Sequence, residues 1–228
     1  VVEHAIRDLA RVGRGVVSLR WQRDGFNEPP TTSSTGTPRN LLGFKDGTAN
    51  LDPTDDARMR QNVWVGSADG PAWMAGGTYQ VYRQVDLRIE EWDESVLDEQ
   101  QDVFGRYKVS GAPYGGRNEF DPVNSAQLPA ASHVRLANPR TGAASEAERI
   151  LRRGFNFHDG YDPEAGVYRS GLAFVAYQRD PRRQFVTIQQ RLAANDALNE
   201  YTVHTASGVF AVPPGVAQGD FVGSRLFA

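Results

Sequence analysis

Tyr79-Gln80-Val81-Tyr82-Arg83-Gln84-Val85-Asp86-Leu87-Arg88-Ile89 puts Tyr79, Val81, Val85, Leu87 and Ile89 on one face. That period of two predicts a strand with one side on a core and the other wet. Gly171-Leu172-Ala173-Phe174-Val175-Ala176-Tyr177 is nearly all apolar, as expected of a central strand. Outward from these two, Val2, Ala5, Ile6, Leu9 and Val12 fall at helical spacing, and Gly13 and Gly15 end that helix. Residues 16–23 set Val17, Leu19 and Trp21 against Ser18, Arg20 and Gln22, which predicts a half-buried strand. Asp93 can cap a helix running to about Phe104, and a Gly/Pro/Asn-rich loop follows to about residue 130. Ser145 and Glu148 form an S-x-x-E capping box, which predicts a helix closed by Gly154. Phe185, Ile188 and Leu192 mark a helix within 182–194, and Val209 to Val212 a short strand. Strands and helices mix without a βαβ rhythm or an internal repeat. The class is α+β, a sheet with helices packed on one face.

The chain has 228 residues, 39% hydrophobic and 23% charged, with a formal net charge of −3 and no cysteine. It is long enough to bury a core, and its apolar fraction argues against disorder. No stretch approaches the ~18 apolar residues of a membrane span. Mild acidity argues against a nucleic-acid partner, which calls for a basic face. Thiolate catalysis, thiolate metal sites and disulfides are excluded. Lys45 and Lys108 are the two lysines among 25 basic residues, a bias that genome base composition explains. The chain opens on Val1-Val2-Glu3-His4 with no initiator Met and no apolar leader, so it reads as a piece of something longer. Pro29 to Pro38 (PPTTSSTGTP) can form no core and reads as a surface loop.

The histidines are His4, His133, His158 and His204. No H-E-x-x-H, G-x-S-x-G or Walker sequence is present, so zinc hydrolysis, serine hydrolysis and P-loop chemistry find no support. Three segments remain. In Asn40-Leu41-Leu42-Gly43-Phe44-Lys45-Asp46-Gly47-Thr48-Ala49-Asn50, Asp46-Gly47 by itself is a turn signal. In Ser132-His133-Val134-Arg135-Leu136-Ala137-Asn138-Pro139-Arg140, a lone histidine is by itself more often structural than a ligand. In Arg149-Ile150-Leu151-Arg152-Arg153-Gly154, arginines in a last helical turn would by themselves meet the negative end of the helix dipole.

Together and in this order the three segments resemble the dye-decolourising peroxidases. G-F-K-D-G-T-A-N carries that family's GxxDG signature, and S-H-V-R-L-A-N-P-R followed by I-L-R-R-G-F is similar to its haem-binding stretch. The resemblance points to the branch with exported deferrochelatase/peroxidase members. It covers essentially residues 1–228, as the C-terminal haem-binding, ferredoxin-like antiparallel domain of a two-domain protein. An N-terminal half would then be the chain's partner, and homo-oligomerisation stays open. The resemblance implies haem b as cofactor, hydrogen peroxide and an organic reductant as substrates, and export through the twin-arginine pathway.

Residue by residue, it implies His133 as the axial ligand of the haem iron, since imidazole leaves the opposite face open. A ligating histidine usually gives its other N–H to a carboxylate, for which Asp180 is the candidate. Asp46 would shuttle the proton that heterolysis of the peroxide O–O bond requires. Arg152, the first arginine of its pair, would supply fixed positive charge. Gly47, Thr48 and Ala49 would pass close over the haem; Asn138, Pro139 and Arg140 would line it, with Arg140 on a propionate. Asn50 would order a distal water. Trp21, Trp64, Trp73 and Trp92 read as core residues rather than electron relays. The rival reading is a haem carrier, or a deferrochelatase that removes iron and leaves the porphyrin intact. Simple haem transport needs neither Asp46 nor Arg152.

Overall fold

The computed structural model describes residues 2–27 and 36–227. The predicted loop therefore lies partly outside the described residues, which omit Pro29 to Thr35. Among the described residues, five strands form one antiparallel sheet: β1 (Thr78–Leu87), β2 (Leu151–Arg152), β3 (Phe155–Asp162), β4 (Val167–Gln178) and β5 (Thr202–Val212). The order is β2-β4-β1-β5, with β3 also paired to β4, so the two sequence-predicted strands lie side by side at the centre. Their register sets Val85 opposite Leu172 and Arg83 opposite Phe174. Paired residues share a face, so Arg83, Val85 and Leu87 stand on the same side as Leu172 and Phe174. The α+β class with an antiparallel sheet is the architecture observed.

The helices are α1 (Val2–Val12), α2 (Asp56–Asn62), α3 (Ile89–Glu94), α4 (Leu97–Phe104), α5 (His133–Ala137), α6 (Ala143–Ala147) and α7 (Phe185–Asn195). Leu87 and Trp92 of β1 and α3 pack with Val103 and Phe104 of α4, with Tyr201, and with Leu42 and Phe44 from the loop before α2. Phe44 stacks on Phe104 at 4.0 Å between ring centres, and Trp92 meets both edge-on. The Trp92 indole N–H donates to the Leu42 carbonyl at 3.1 Å. Leu42 and Phe44 are thus pinned in the core, and truncating Phe44 to alanine would cost about 3–5 kcal/mol. The residues that follow, Lys45 to Ala49, are held where that core ends.

Several local expectations are corrected. Residues 16–23 form no strand: Trp21 lies 5.0 Å from the Tyr82 ring and Arg23 reaches Gln84 and Asp159, so side chains and not a ladder hold the segment to the sheet. The strand from Tyr79 stops at Leu87, and Ile89 opens α3. Asp93 lies inside α3 rather than capping a longer helix, because the chain is extended at Ser95 and Val96. The Gln100 side chain takes up the carbonyls freed at that break, Trp92 O at 2.7 Å and Ser95 O at 3.2 Å. The Ser145/Glu148 capping box does not operate: Ser145 sits within α6 and donates to Gly142 O. Residues 151–152 pair with Tyr177 and Ala176 of β4, so Arg152 lies on a strand and not in a last helical turn. The short final strand extends back to Thr202. Trp92 is core, whereas Trp21 and Trp64 are exposed.

Candidate functional site

A cavity of about 280 Å³ opens between the sheet and α5 and α7. Val85, Leu87, Leu172 and Phe174 line it from the sheet, Phe185, Ile188 and Leu192 from α7, and Phe104 from α4. Alongside this apolar lining the cavity carries many polar and charged side chains, so it offers an apolar surface and fixed hydrogen-bonding groups together. Asp46, Gly47, Thr48, Ala49, His133, Asn138, Arg140 and Arg152 all reach it. Pro139 is not among the lining residues; its carbonyl accepts the Ser125 hydroxyl at 3.1 Å.

On one wall, an Arg152 Nη donates to an Asp46 carboxylate oxygen at 2.8 Å, both side chains being partly exposed. Asp46 arrives on the loop pinned by Leu42 and Phe44. Its own N–H donates to Pro38 O at 2.8 Å, and Gly47 turns the chain at φ 120°, where a side chain would be strained. Arg152 is set by β2 and by the Asn50 side chain. That amide bonds the Arg152 carbonyl at 2.7 Å and its N–H at 2.9 Å. Asn50 thus grips backbone, a use for which its place beside Asp46 in sequence held no signal. Arg153 points elsewhere, over the Phe155 ring and into a second, polar cavity of about 250 Å³ that shares Asp46 and Arg152.

His133 opens α5. Its Nδ1 is 2.7 Å from a carboxylate oxygen of Asp196, which is almost fully buried. A carboxylate there fixes the tautomer with the proton on Nδ1, which leaves Nε2 as the nitrogen available to the cavity. The predicted partner Asp180 does not reach His133. It accepts from the Arg182 N–H and pairs with Arg183, because it lies in the turn before α7 while Asp196 lies just after that helix. Asp196 is doubly fixed, since its second oxygen caps the turn at 197–201 through the Leu198 N–H at 3.0 Å. The only sequence signal was an Asp at a helix end, a capping pattern that many residues share.

Arg140 holds a left-handed backbone at φ 59°. Its guanidinium donates to the carbonyls of Asn138 and Val134, and no carboxylate lies within ion-pair distance of it among the described residues. Burial, with help from Arg106 and Arg149, lowers its pKa to about 10. A half-buried cation without a counter-ion favours an anionic group brought in from outside.

The α+β domain thus gathers around one cavity an apolar wall, a carboxylate-backed imidazole, a carboxylate–guanidinium pair and an arginine without a carboxylate partner among the described residues. Residues 37–217 match the family model described as "Dyp-type peroxidase, C-terminal". The chain is 44% identical over 236 residues to the deferrochelatase of Escherichia coli strain K12, an alignment covering 99% of this chain and 55% of that protein. Ferric DtpA from Streptomyces lividans superposes with a TM-score of 0.89 at 38% identity, over 98% of this chain and 62% of that one. A DyP-type peroxidase from Cellulomonas bogoriensis superposes at 0.87 with 37% identity, over 99% and 63%. The chain belongs to the DyP-type peroxidase family. It spans about half the length of the curated relatives it matches.

Proposed function

We propose that this chain is the C-terminal, haem-binding half of a peroxidase that uses hydrogen peroxide to oxidise an organic substrate such as a dye. The observation that carries the proposal is one apolar cavity reached both by His133, backed by Asp196, and by the Asp46–Arg152 pair. The donor set fits a haem b. His133 Nε2 would hold the iron, Arg140 a propionate, Asn138 the porphyrin edge, and the Gly47-Thr48-Ala49 backbone a ring face. When bound, the haem would supply a redox-active iron that takes up electrons from a reductant and passes them to peroxide.

The chain's own residues then have distinct tasks. Asp196 accepts a hydrogen bond from the Nδ1–H and so fixes the tautomer and orientation of the His133 imidazole. An Asp46 carboxylate oxygen takes the proton from one peroxide oxygen and returns it to the other, which leaves as water. Arg152 offers N–H donors to the negative charge that develops as the O–O bond breaks. Export to the periplasm or outside the cell goes with this proposal, as does pairing with an N-terminal half of the same protein. No helix among the described residues is long and apolar enough to cross a membrane.

The test is single-turnover spectroscopy of the full-length, haem-loaded protein. One equivalent of peroxide should shift a sharp Soret band, and His133→Ala should abolish that band. Asp46→Asn and Arg152→Leu should keep the band and slow the shift by on the order of a hundredfold each. Unchanged peroxide turnover in both variants would sink the assignment. The 44% identity to deferrochelatases favours a second reading, removal of iron from haem with the porphyrin left intact. Fluorescent metal-free porphyrin released without peroxide would support it.

A further inference from the structure

Glu119 has no place in the mechanism above, yet it is one of the few buried acids, only 8% exposed. It belongs to the long loop between α4 and α5, far in sequence from the Asp46 loop. Its carboxylate is nonetheless saturated by that loop. One oxygen accepts the hydroxyls of Thr37 and Thr48, the latter at 2.8 Å, and the other accepts the Lys45 ammonium. All three donors flank Asp46: Lys45 directly before it, Thr48 two residues after, and Thr37 beside the Pro38 carbonyl that takes the Asp46 N–H. Arg106 fixes the glutamate from behind, donating to the carbonyls of Glu119 at 3.0 Å and Gly111 at 2.5 Å. The stem of Lys45 runs so close to Gly111 that a Cβ there would meet its Cδ at 2.6 Å.

Lys45 and Asp46 line the same cavity as Arg152. A lysine next to the carboxylate is a competitor for it: its flexible stem can bring a point charge to Asp46, where the guanidinium now sits. We infer that Glu119 is a positioning residue, holding Lys45 away from Asp46 so that Arg152 is the cation paired with that carboxylate. The inference rests on the proposed roles of Asp46 and Arg152. Glu119 touches neither of them and acts through Lys45 and the threonines.

Glu119→Gln isolates the charge, since glutamine still accepts both threonine hydroxyls but no longer neutralises Lys45. In the full-length, haem-loaded protein, this variant should slow the Soret shift on peroxide addition by about tenfold, a fraction of the loss expected on removing Arg152 itself. The double variant Glu119→Gln/Lys45→Met should restore the rate, because the competing cation is gone. A structural role predicts the reverse, with the double variant at least as impaired as the single. Amide exchange across residues 45–50, read on the haem-free protein, should rise in Glu119→Ala. Faster exchange with an unchanged peroxide rate in Glu119→Gln would make Glu119 a structural tie and overturn the inference. So would a double variant that fails to recover. A wild-type protein that shows no Soret shift with peroxide would overturn the site assignment and this inference together, which distinguishes the two failures.

Discussion

The Asn50 side chain closes a two-bond clamp on the backbone of Arg152, donating to its carbonyl at 2.7 Å and accepting from its N–H at 2.9 Å. β2 is only two residues long, so this clamp does for Arg152 what a longer ladder would otherwise do. Asn50→Ala should therefore act at a distance from its own side chain. It leaves two partly buried backbone groups unpaired, and stability should fall by about 2 kcal/mol. The Soret response to peroxide should slow as well, because the guanidinium loses its fixed base. Urea unfolding and stopped-flow mixing read the two effects separately, and Asn50→Asp, which keeps only the acceptor, should fall between.

Asp196 serves His133 with one oxygen and the Leu198 N–H with the other. Asp196→Asn keeps the capping oxygen and removes the charge behind the imidazole. Thermal stability of the haem-free protein should change little, while haem affinity should fall on the order of ten- to hundredfold. The reduction potential of the bound haem should rise, since a less basic imidazole stabilises the oxidised iron less. Haem titration and spectroelectrochemistry check both. Asp180→Asn should leave affinity and potential unchanged.

At Gly171 the sheet tolerates no side chain. A Cβ there would lie 2.2 Å from the Val85 carbonyl of β1 and 2.5 Å from the ring of Phe157, itself 2% exposed. The first obstacle is backbone in the neighbouring central strand and cannot swing away. Gly171→Ala should destabilise by about 3 kcal/mol, at the upper end for overpacking. A drop in melting temperature with no selective loss of haem affinity is the expected result.

Hydrogen bonds from Lys45, Thr37 and Thr48 outweigh burial and hold the Glu119 carboxyl below its ordinary value. The unfolded chain therefore takes up this proton first as the pH falls. The stability Glu119 contributes is complete above its unfolded pKa of 4.5 and is lost as the pH falls through its lower folded value. Acid titration of unfolding should show a shallower loss below pH 4.5 in Glu119→Gln than in the wild type, the two curves converging at the acid end.

What was legible in the sequence was whatever depends on near neighbours. β1 and β4 announced themselves because a strand's alternation and a buried strand's unbroken apolar run are local patterns. α1 and α7 did so through helical spacing. The family motifs marked Asp46, His133 and Arg152 without any knowledge of where the chain would carry them. Boundaries failed where a tertiary contact overrode a local signal. Ser95 breaks a continuous-looking helix because Gln100 satisfies the freed carbonyls, and residues 16–23 alternate like a strand but pair with none. Only the folded chain decided that Arg152 would stand on a strand held by Asn50, that Asp196 and not Asp180 would back His133, and that Glu119 would bind Lys45. Each of these is a hydrogen bond between residues dozens of positions apart. Periodicity specifies which face a residue takes, and long-range packing alone specifies what waits on that face.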